Sequence, residues 1–434
     1  MKRILKQIVL ESNKKQLFCG VKRSLFDKIL PNIERPEIIS LSGVRRCGKT
    51  VLFNQIITSI DRRENCLIVN FEDERFIDFK VEHFDLLLEI FFENNLPNGK
   101  IFLFFDEIQE VKNWEKWVRR IYDSNKEIKI FITGSSSSLL SSEFSTLLTG
   151  RNISFVLYPL SFVEYLKFQD FSEIEVDLLK VDIKLRAKIK FHLNNFILNG
   201  GFPSVSVDYS LEVLQQYFRD IIYRDIVKRY QVRDVRQLEE IFQYLLTNVS
   251  NLYSYNNIKN TFKAGIDTVK EYINYAISAN LLFDQLYYSY SLKESFNRPR
   301  KTYCIDNGLR NAVSFKFSAD IGRLVENQVY LELKRTYGES YYFKGKHEVD
   351  FIVKDKDQKL IAINVSYTNT LEDREFLGLL EIKKEFQGAI KRTLIISDDI
   401  EDTIQGVEVI PLWQWLIESH INKEARHKSG VYIS

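Results

Sequence analysis

Five short, continuously apolar runs punctuate the first part of the chain, at 37–42, 67–71, 101–105, 128–132 and 154–157, and amphipathic stretches separate them. An apolar run without alternation is buried on both faces, so this pattern predicts parallel strands covered by helices, an α/β layer. Between 200 and 300 the apolar positions recur three and four residues apart, at 211–230 and 238–250, which predicts a separate and mostly helical segment. The remainder is mixed again. Strands are expected at 341–343, 349–353, 360–365 and 392–396, with helices at 322–335 and 372–385, a second α/β unit. No internal repeat or low-complexity tract interrupts this pattern, and only seven prolines punctuate it.

A length of 434 residues exceeds what one hydrophobic core serves and agrees with two or three domains. Lysine and arginine total 61 against 59 acidic residues, so there is no global field to attract nucleic acid, and any such surface must be local. The run at 101–105 is far short of the roughly 20 apolar residues of a spanning helix, and the basic N-terminus carries only Ile8, Val9 and Leu10 before charge returns. A soluble chain without membrane association or export signal is expected. Cys19, Cys47, Cys66 and Cys304 form no CxxC pair, which argues against zinc or a disulfide framework and fits reduced thiols in the cytoplasm.

Candidate chemistry concentrates at the ends of the early strands. Residues 43–50 read Gly-Val-Arg-Arg-Cys-Gly-Lys-Thr, between the strand at 37–42 and a helix-compatible run at 51–60. Glycines at both ends let main-chain N–H groups curl around phosphate oxygens, and the following helix directs its positive end at them. The expected nucleotide-binding set is Gly43, Arg45, Arg46, Cys47, Gly48, Lys49, Thr50 and Val51, with Lys49 reaching the outer phosphates and Thr50 a Mg²⁺ ion. Whether Arg45 and Arg46 face phosphate or solvent is left open. The run 101–105 ends in Asp106-Glu107, which predicts a metal-linked carboxylate at Asp106 and a water-polarising one at Glu107. Thr133 or Ser135, after the next strand, is either a γ-phosphate contact or part of a polar serine loop. Arg151 is either an arginine finger acting across a homo-oligomer interface or a surface arginine.

At these residues the chain resembles the AAA+ ATPases, and in particular a prokaryotic family that joins such an ATPase to a C-terminal domain of restriction-nuclease type. The segments that carry the resemblance are SGVRRCGKT, FLFFDEIQEV, FITGSSSSLL, LTGR, PLSFVEYL and NGGFPSV, spanning about 36 to 205 in the family's order. The resemblance implies a five-stranded parallel sheet, a sensor role for Ser135, a finger role for Arg151, and an adenine-proximal loop at Gly201-Phe202-Pro203. With no guanine-reading NKxD motif, since Asn125-Lys126-Glu127 continues into Ile128, ATP is expected over GTP.

The implied organisation is a helical segment at 1–35, an AAA+ domain at 36–208, a helical lid and winged helix at 209–310, and a nuclease-like domain at 311–434. Residues 235–305 resemble a winged helix, with helices at 255–263 and 267–279 and strands at 281–286 and 301–305. Lys259, Lys263, Lys270, Arg298, Arg300 and Lys301, interleaved with Tyr287, Tyr288 and Tyr290, are the candidate exposed DNA contacts; the alternative is a lid or protein-docking module. Further on, Glu326, Glu348-Val349-Asp350 and Asn364-Val365-Ser366 resemble the PD-(D/E)xK nuclease core. Asn364 replaces an acid and Ser366 replaces the lysine, leaving Glu326 and Asp350 with too little negative charge for tight Mg²⁺ binding, so a degenerate nuclease fold that binds without cutting is expected. The combined expectation is an ATP-hydrolysing protein whose nucleotide state controls a DNA-directed module, with a slow nucleotide switch that recognises a protein partner as the alternative.

Overall fold

The computed structural model describes residues 1–14, 16–134, 147–171, 174–314, 321–368 and 370–428, with side chains described as far as His420. They form two compact units, Met1–Pro159 and Leu160–Ser434.

In the first unit β1 (Ile38–Ser42), β2 (Cys66–Asn70), β3 (Ile101–Asp106), β4 (Ile128–Gly134) and β5 (Asn152–Val156) make a parallel sheet in the order β2-β3-β4-β1-β5. Every position of β1, β3 and β4 is buried, as their mostly apolar character leads one to expect of strands covered on both faces. The register sets Ser42 beside Gly134 and Phe105 beside Ile132, so β1, β3 and β4 end together along one edge. Phe53, on the helix Lys49–Thr58, meets Phe104 edge-on at 5.4 Å, and Phe104 stacks on Phe131 at 4.5 Å. These contacts fix that helix against β3 and β4 and orient its N-terminus towards the shared edge. The helix Lys2–Lys14 buries Leu5, Ile8 and Val9 in the same core as Leu67, Phe91 and Leu103. The first 35 residues are thus built into this unit.

Lys129 lies at the start of β4 and is fully buried. Its Nζ donates to the carbonyls of Asn32 and Arg35, each at 2.8 Å, and to that of Glu37. Burial pushes the Lys129 pKa down to about 7, and the head group is tolerated inside because main-chain acceptors satisfy its N–H donors. Lys129→Met keeps the aliphatic stem and strands those carbonyls, so it is expected to lower stability by about 2 kcal/mol in chemical denaturation. An unchanged midpoint would mean that the three bonds contribute nothing.

The second unit contains, among the described residues, one mixed sheet of β6 (Leu252–Tyr253), β7 (Leu282–Tyr287), β8 (Arg300–Cys304), β9 (Tyr341–Lys344), β10 (Glu348–Lys354), β11 (Leu360–Ser366), β12 (Ile390–Ser397), β13 (Asp402–Ile404) and β14 (Val407–Pro411). Their order is β13-β14-β12-β11-β10-β9-β7-β8-β6. The link between segments expected as separate domains is β7 with β9, parallel, setting Leu286 beside Tyr341 and Tyr287 beside Tyr342. Burial follows from this pairing: Tyr287 stacks on Phe343 at 5.9 Å, and Tyr288 meets Phe386 at 5.3 Å. The boundary between the two compact units falls along the chain at Pro159/Leu160. The helices Tyr255–Phe262 and Ile266–Ser278 precede β7, and a short helix, Leu292–Asn297, stands between β7 and β8. Among the described residues no helix is long and apolar enough to cross a membrane.

Candidate functional site

The loop from Gly43 to Gly48 leaves β1 and enters the helix Lys49–Thr58. Gly48 has φ 103°, a conformation that glycine adopts without a Cβ penalty. At Gly43 the limit is space: a Cβ there would lie 2.3 Å from the carbonyl oxygen of Leu157 and 2.9 Å from Cys47 Sγ. Arg23, outside the sequence-derived set, holds the loop from behind by donating to the Cys47 carbonyl at 2.8 Å and the Tyr158 carbonyl at 2.8 Å. No local sequence signal marks it, because its acceptors lie 24 and 135 residues away. Burial pushes the Cys47 thiol up, so Cys47 is an inert part of the loop.

Lys49, Thr50, Asp106, Glu107 and Thr133 come together at the sheet edge. Lys49 Nζ donates to the Gly43 carbonyl at 3.1 Å and stands 3.5 Å from Glu107 Oε1. The Thr50 hydroxyl donates to Asp106 Oδ2 at 2.7 Å. Thr133 bridges the two acids: its hydroxyl donates to Asp106 Oδ1 and accepts the Glu107 N–H at 2.9 Å. Gln109 adds a bond to Glu107 Oε2 at 2.6 Å. Glu107 has φ 53°, an unusual value for a residue with a Cβ, and the surrounding bonds hold it there.

The two carboxylates are driven apart electrostatically. Burial and the neighbouring Glu107 charge raise Asp106, outweighing the bonds from Thr133 and Thr50. Burial also acts to raise Glu107, but Lys49, Gln109 and Arg45 outweigh it and hold its pKa below the ordinary value. Glu107 is therefore ionised at neutral pH, and Asp106 is the carboxylate that a nearby cation would stabilise most. A Thr hydroxyl and one carboxylate beside a phosphate cradle are the donor set Mg²⁺ takes when phosphate and water fill the other positions. The residues fit ATP·Mg²⁺.

The remaining candidates are more scattered. Arg45 pairs with Glu72 at 2.6 Å, and Arg46 has φ 70°. Val51 is in the first turn of the helix after the loop. Arg151 is held by Asp123, with Nε at 2.9 Å and Nη2 at 3.3 Å. Ser135 lies outside the described residues. Pro203 opens the helix Pro203–Val207 in the second unit. The glycines before it answer to packing: a Cβ at Gly200 would sit 2.1 Å from Asp306 Oδ1, and one at Gly201 would sit 2.7 Å from the Leu160 carbonyl.

The supposed DNA-facing set needs correction. Lys301 is 3% exposed and surrounded by acids, and Tyr287 and Tyr288 are buried. Arg300 pairs with Asp284 at 2.7 Å, and Arg298 pairs with Glu294 at 3.0 Å. Lys259, Lys263, Lys270, Arg298 and Tyr290 are exposed. The outer face of the helix Ile266–Ser278 presents Asp267, Lys270, Glu271 and Asn274, acidic on balance.

The sheet, the glycine loop and the acid pair define a P-loop ATPase domain, and residues 35–166 match the family described as the AAA domain. Residues 190–320 and 321–415 match two domains of unknown function, DUF8612 and DUF4143. Over 417 residues the chain is 34% identical to the uncharacterized protein MJ1544 of Methanocaldococcus jannaschii, covering 91% of this chain and 90% of that one. An uncharacterized protein of Haemophilus influenzae is 31% identical over 395 residues, 87% of this chain and 94% of that one. The chain belongs to one family with these proteins, a family with an AAA-type ATPase domain. Among solved structures, the Aeropyrum pernix ORC1 protein in complex with DNA is similar at a TM-score of 0.32 and 12% identity, covering 71% of this chain and 95% of that chain.

Proposed function

We propose that the chain binds ATP with Mg²⁺ in the cytoplasm, hydrolyses it, and uses the nucleotide state to govern its second unit, which acts on DNA. The observation that carries this reading is the Thr133 bridge, which locks Asp106 beside Thr50 and Glu107 beside Lys49. Main-chain N–H groups of residues 43–50 and the Lys49 ammonium would take the phosphates, and Thr50 and Asp106 would hold the Mg²⁺ ion, which supplies charge stabilisation when bound. Glu107, ionised and fixed at its N–H, would orient the attacking water and draw its proton. Arg151 would act as a finger towards a second copy once released from Asp123, with Ser135 as sensor and Pro203 near the adenine.

The order helix Ile321–Tyr337, β9, β10, β11, helix Asp373–Glu385, β12 supports a nuclease-like fold for residues 311–434. For DNA as the target, Lys259 and Lys263 are the exposed contacts. Phosphate release from ATP and GTP, each with and without duplex DNA, tests the reading. Turnover of ATP stimulated by DNA and weakened by Lys259→Ala/Lys263→Ala is the expected result. ATP binding with negligible turnover under every condition would replace it with a nucleotide switch acting on a protein partner. The acidic balance of Asp267, Lys270, Glu271 and Asn274 on the helix Ile266–Ser278 favours that second reading.

A further inference from the structure

The second unit gathers three carboxylates around one ammonium. Lys301 on β8 has its Nζ 3.1 Å from Glu326 Oε1, 2.8 Å from Glu348 Oε1 and 2.9 Å from Asp350 Oδ1. Glu326 comes from the helix Ile321–Tyr337, while Glu348 and Asp350 are two apart on β10 and share one face of that strand. Neighbours pin the acids. Tyr303 donates to Glu326 at 2.7 Å, the Val365 N–H donates to Asp350 Oδ2 at 3.0 Å, and Lys344 stands 3.4 Å from Glu348.

Carboxylates that bind a divalent ion aim their oxygens at one point. Here Lys301 Nζ occupies that point and matches its three donors to three carboxylate oxygens. Asn364, at the position where a nuclease motif would carry an acid, serves as a strap: its Oδ1 accepts the Asp350 N–H at 3.1 Å, and its Nδ2 donates to the Glu375 carbonyl at 2.8 Å. Burial alone would push the Lys301 ammonium down, but the charges of Asp350, Glu326 and Glu348 outweigh it, so the lysine stays protonated. The cluster is within reach of solvent ions, since Glu348 is about one-third exposed and lines, with Lys301, Asn248, Asn251 and Lys344, a cavity of about 410 Å³. Among the described residues no group of three His, Cys, Asp or Glu side chains is arranged to hold a metal ion. The residues do not fit the metal that a nuclease core implies.

We propose that Lys301 is a built-in counter-cation, which takes the place of a divalent metal between Glu326, Glu348 and Asp350 and so makes this carboxylate cluster metal-free by construction. A divalent ion could enter only by expelling a lysine whose stem and head are both buried. The lysine missing at Ser366 has in effect been supplied by β8, brought within reach through the β7–β9 and β7–β8 pairings. This inference stands apart from the ATPase reading, because no residue is shared.

The test is Mn²⁺ binding to the full chain without nucleotide, followed by electron paramagnetic resonance and by thermal midpoint. Asp106→Asn in every sample removes the contribution of the ATP site. The parent is expected to bind no Mn²⁺ in this cluster. Lys301→Met is expected to gain one site at least tenfold tighter than any in the parent, with a midpoint that rises with Mn²⁺, and to lose both on adding Asp350→Asn. If Lys301→Met alone does not fold, Lys301→Gln, which keeps a neutral polar head among the three intact acids, takes the same measurements. Two results would overturn the proposal: Mn²⁺ binding by the parent that Asp350→Asn abolishes, which would make Lys301 a neighbour of a metal, or a folded variant that gains no site.

Discussion

Glu107→Gln is expected to keep ATP affinity within about twofold of the parent while phosphate release falls by about 100-fold or more. The substitution preserves the shape of the side chain and its reach to Gln109, and it leaves the Glu107 N–H bond to Thr133 Oγ1 intact. What it removes is a carboxylate that Lys49, Gln109 and Arg45 keep ionised against its burial. An amide can orient water but cannot take its proton. Nucleotide titration by calorimetry separates the two effects, because on the proposed reading Lys49, Thr50 and the loop would carry binding, whereas turnover would need Glu107 as well. Equal turnover in parent and variant would mean that Glu107 only pairs with Lys49, and the water would have to be activated elsewhere. Thr133→Val is the structural counterpart, since it releases both acids at once and should lower turnover while leaving the backbone of the glycine loop in place.

The glycine loop was readable in the chain because its parts are consecutive: strand, glycine turn and helix follow one another between 37 and 60. Thr133 was readable only as a hydroxyl near the edge. Its bridging of Asp106 and Glu107 depends on β3 lying beside β4, a pairing between segments 27 residues apart. Lys129 shows the opposite difficulty: a charge inside an apolar run looks like a flaw until the carbonyls of Asn32, Arg35 and Glu37 come round to meet it. Lys301 was the larger misreading. Next to Arg298 and Arg300 it looked like part of a basic stripe, but its partners at 326, 348 and 350 reach it only because β7 pairs with both β8 and β9. Charge seen locally was exposed in expectation; charge seen in three dimensions was neutralised by acids on other elements.

The same dependence on distant partners governs Asp306, which no motif singled out. Its Oδ2 accepts the Gly201 N–H at 2.6 Å, and its Oδ1 caps the helix Asn307–Val313 by accepting the Leu309 N–H at 2.8 Å. Asp306→Ala leaves the N–H groups of Gly201, Gly308 and Leu309 without this acceptor and is expected to destabilise the second unit by about 3 kcal/mol at pH 7, while ATP binding by the first unit persists. Burial, only partly offset by the N–H groups of Gly201, Leu309 and Gly308, pushes the Asp306 carboxyl up to about 6. Because the folded value lies above the unfolded one, the folded state holds the proton more tightly. The contribution of Asp306 is therefore complete below the ordinary carboxylate range near pH 4 and declines as pH rises through 6. The stability gap between parent and Asp306→Ala should accordingly be widest at pH 4 and narrow towards pH 7 in urea denaturation followed at several pH values. A gap that widens with pH would show instead that Asp306 is stabilised as the anion, with the three N–H groups outweighing burial.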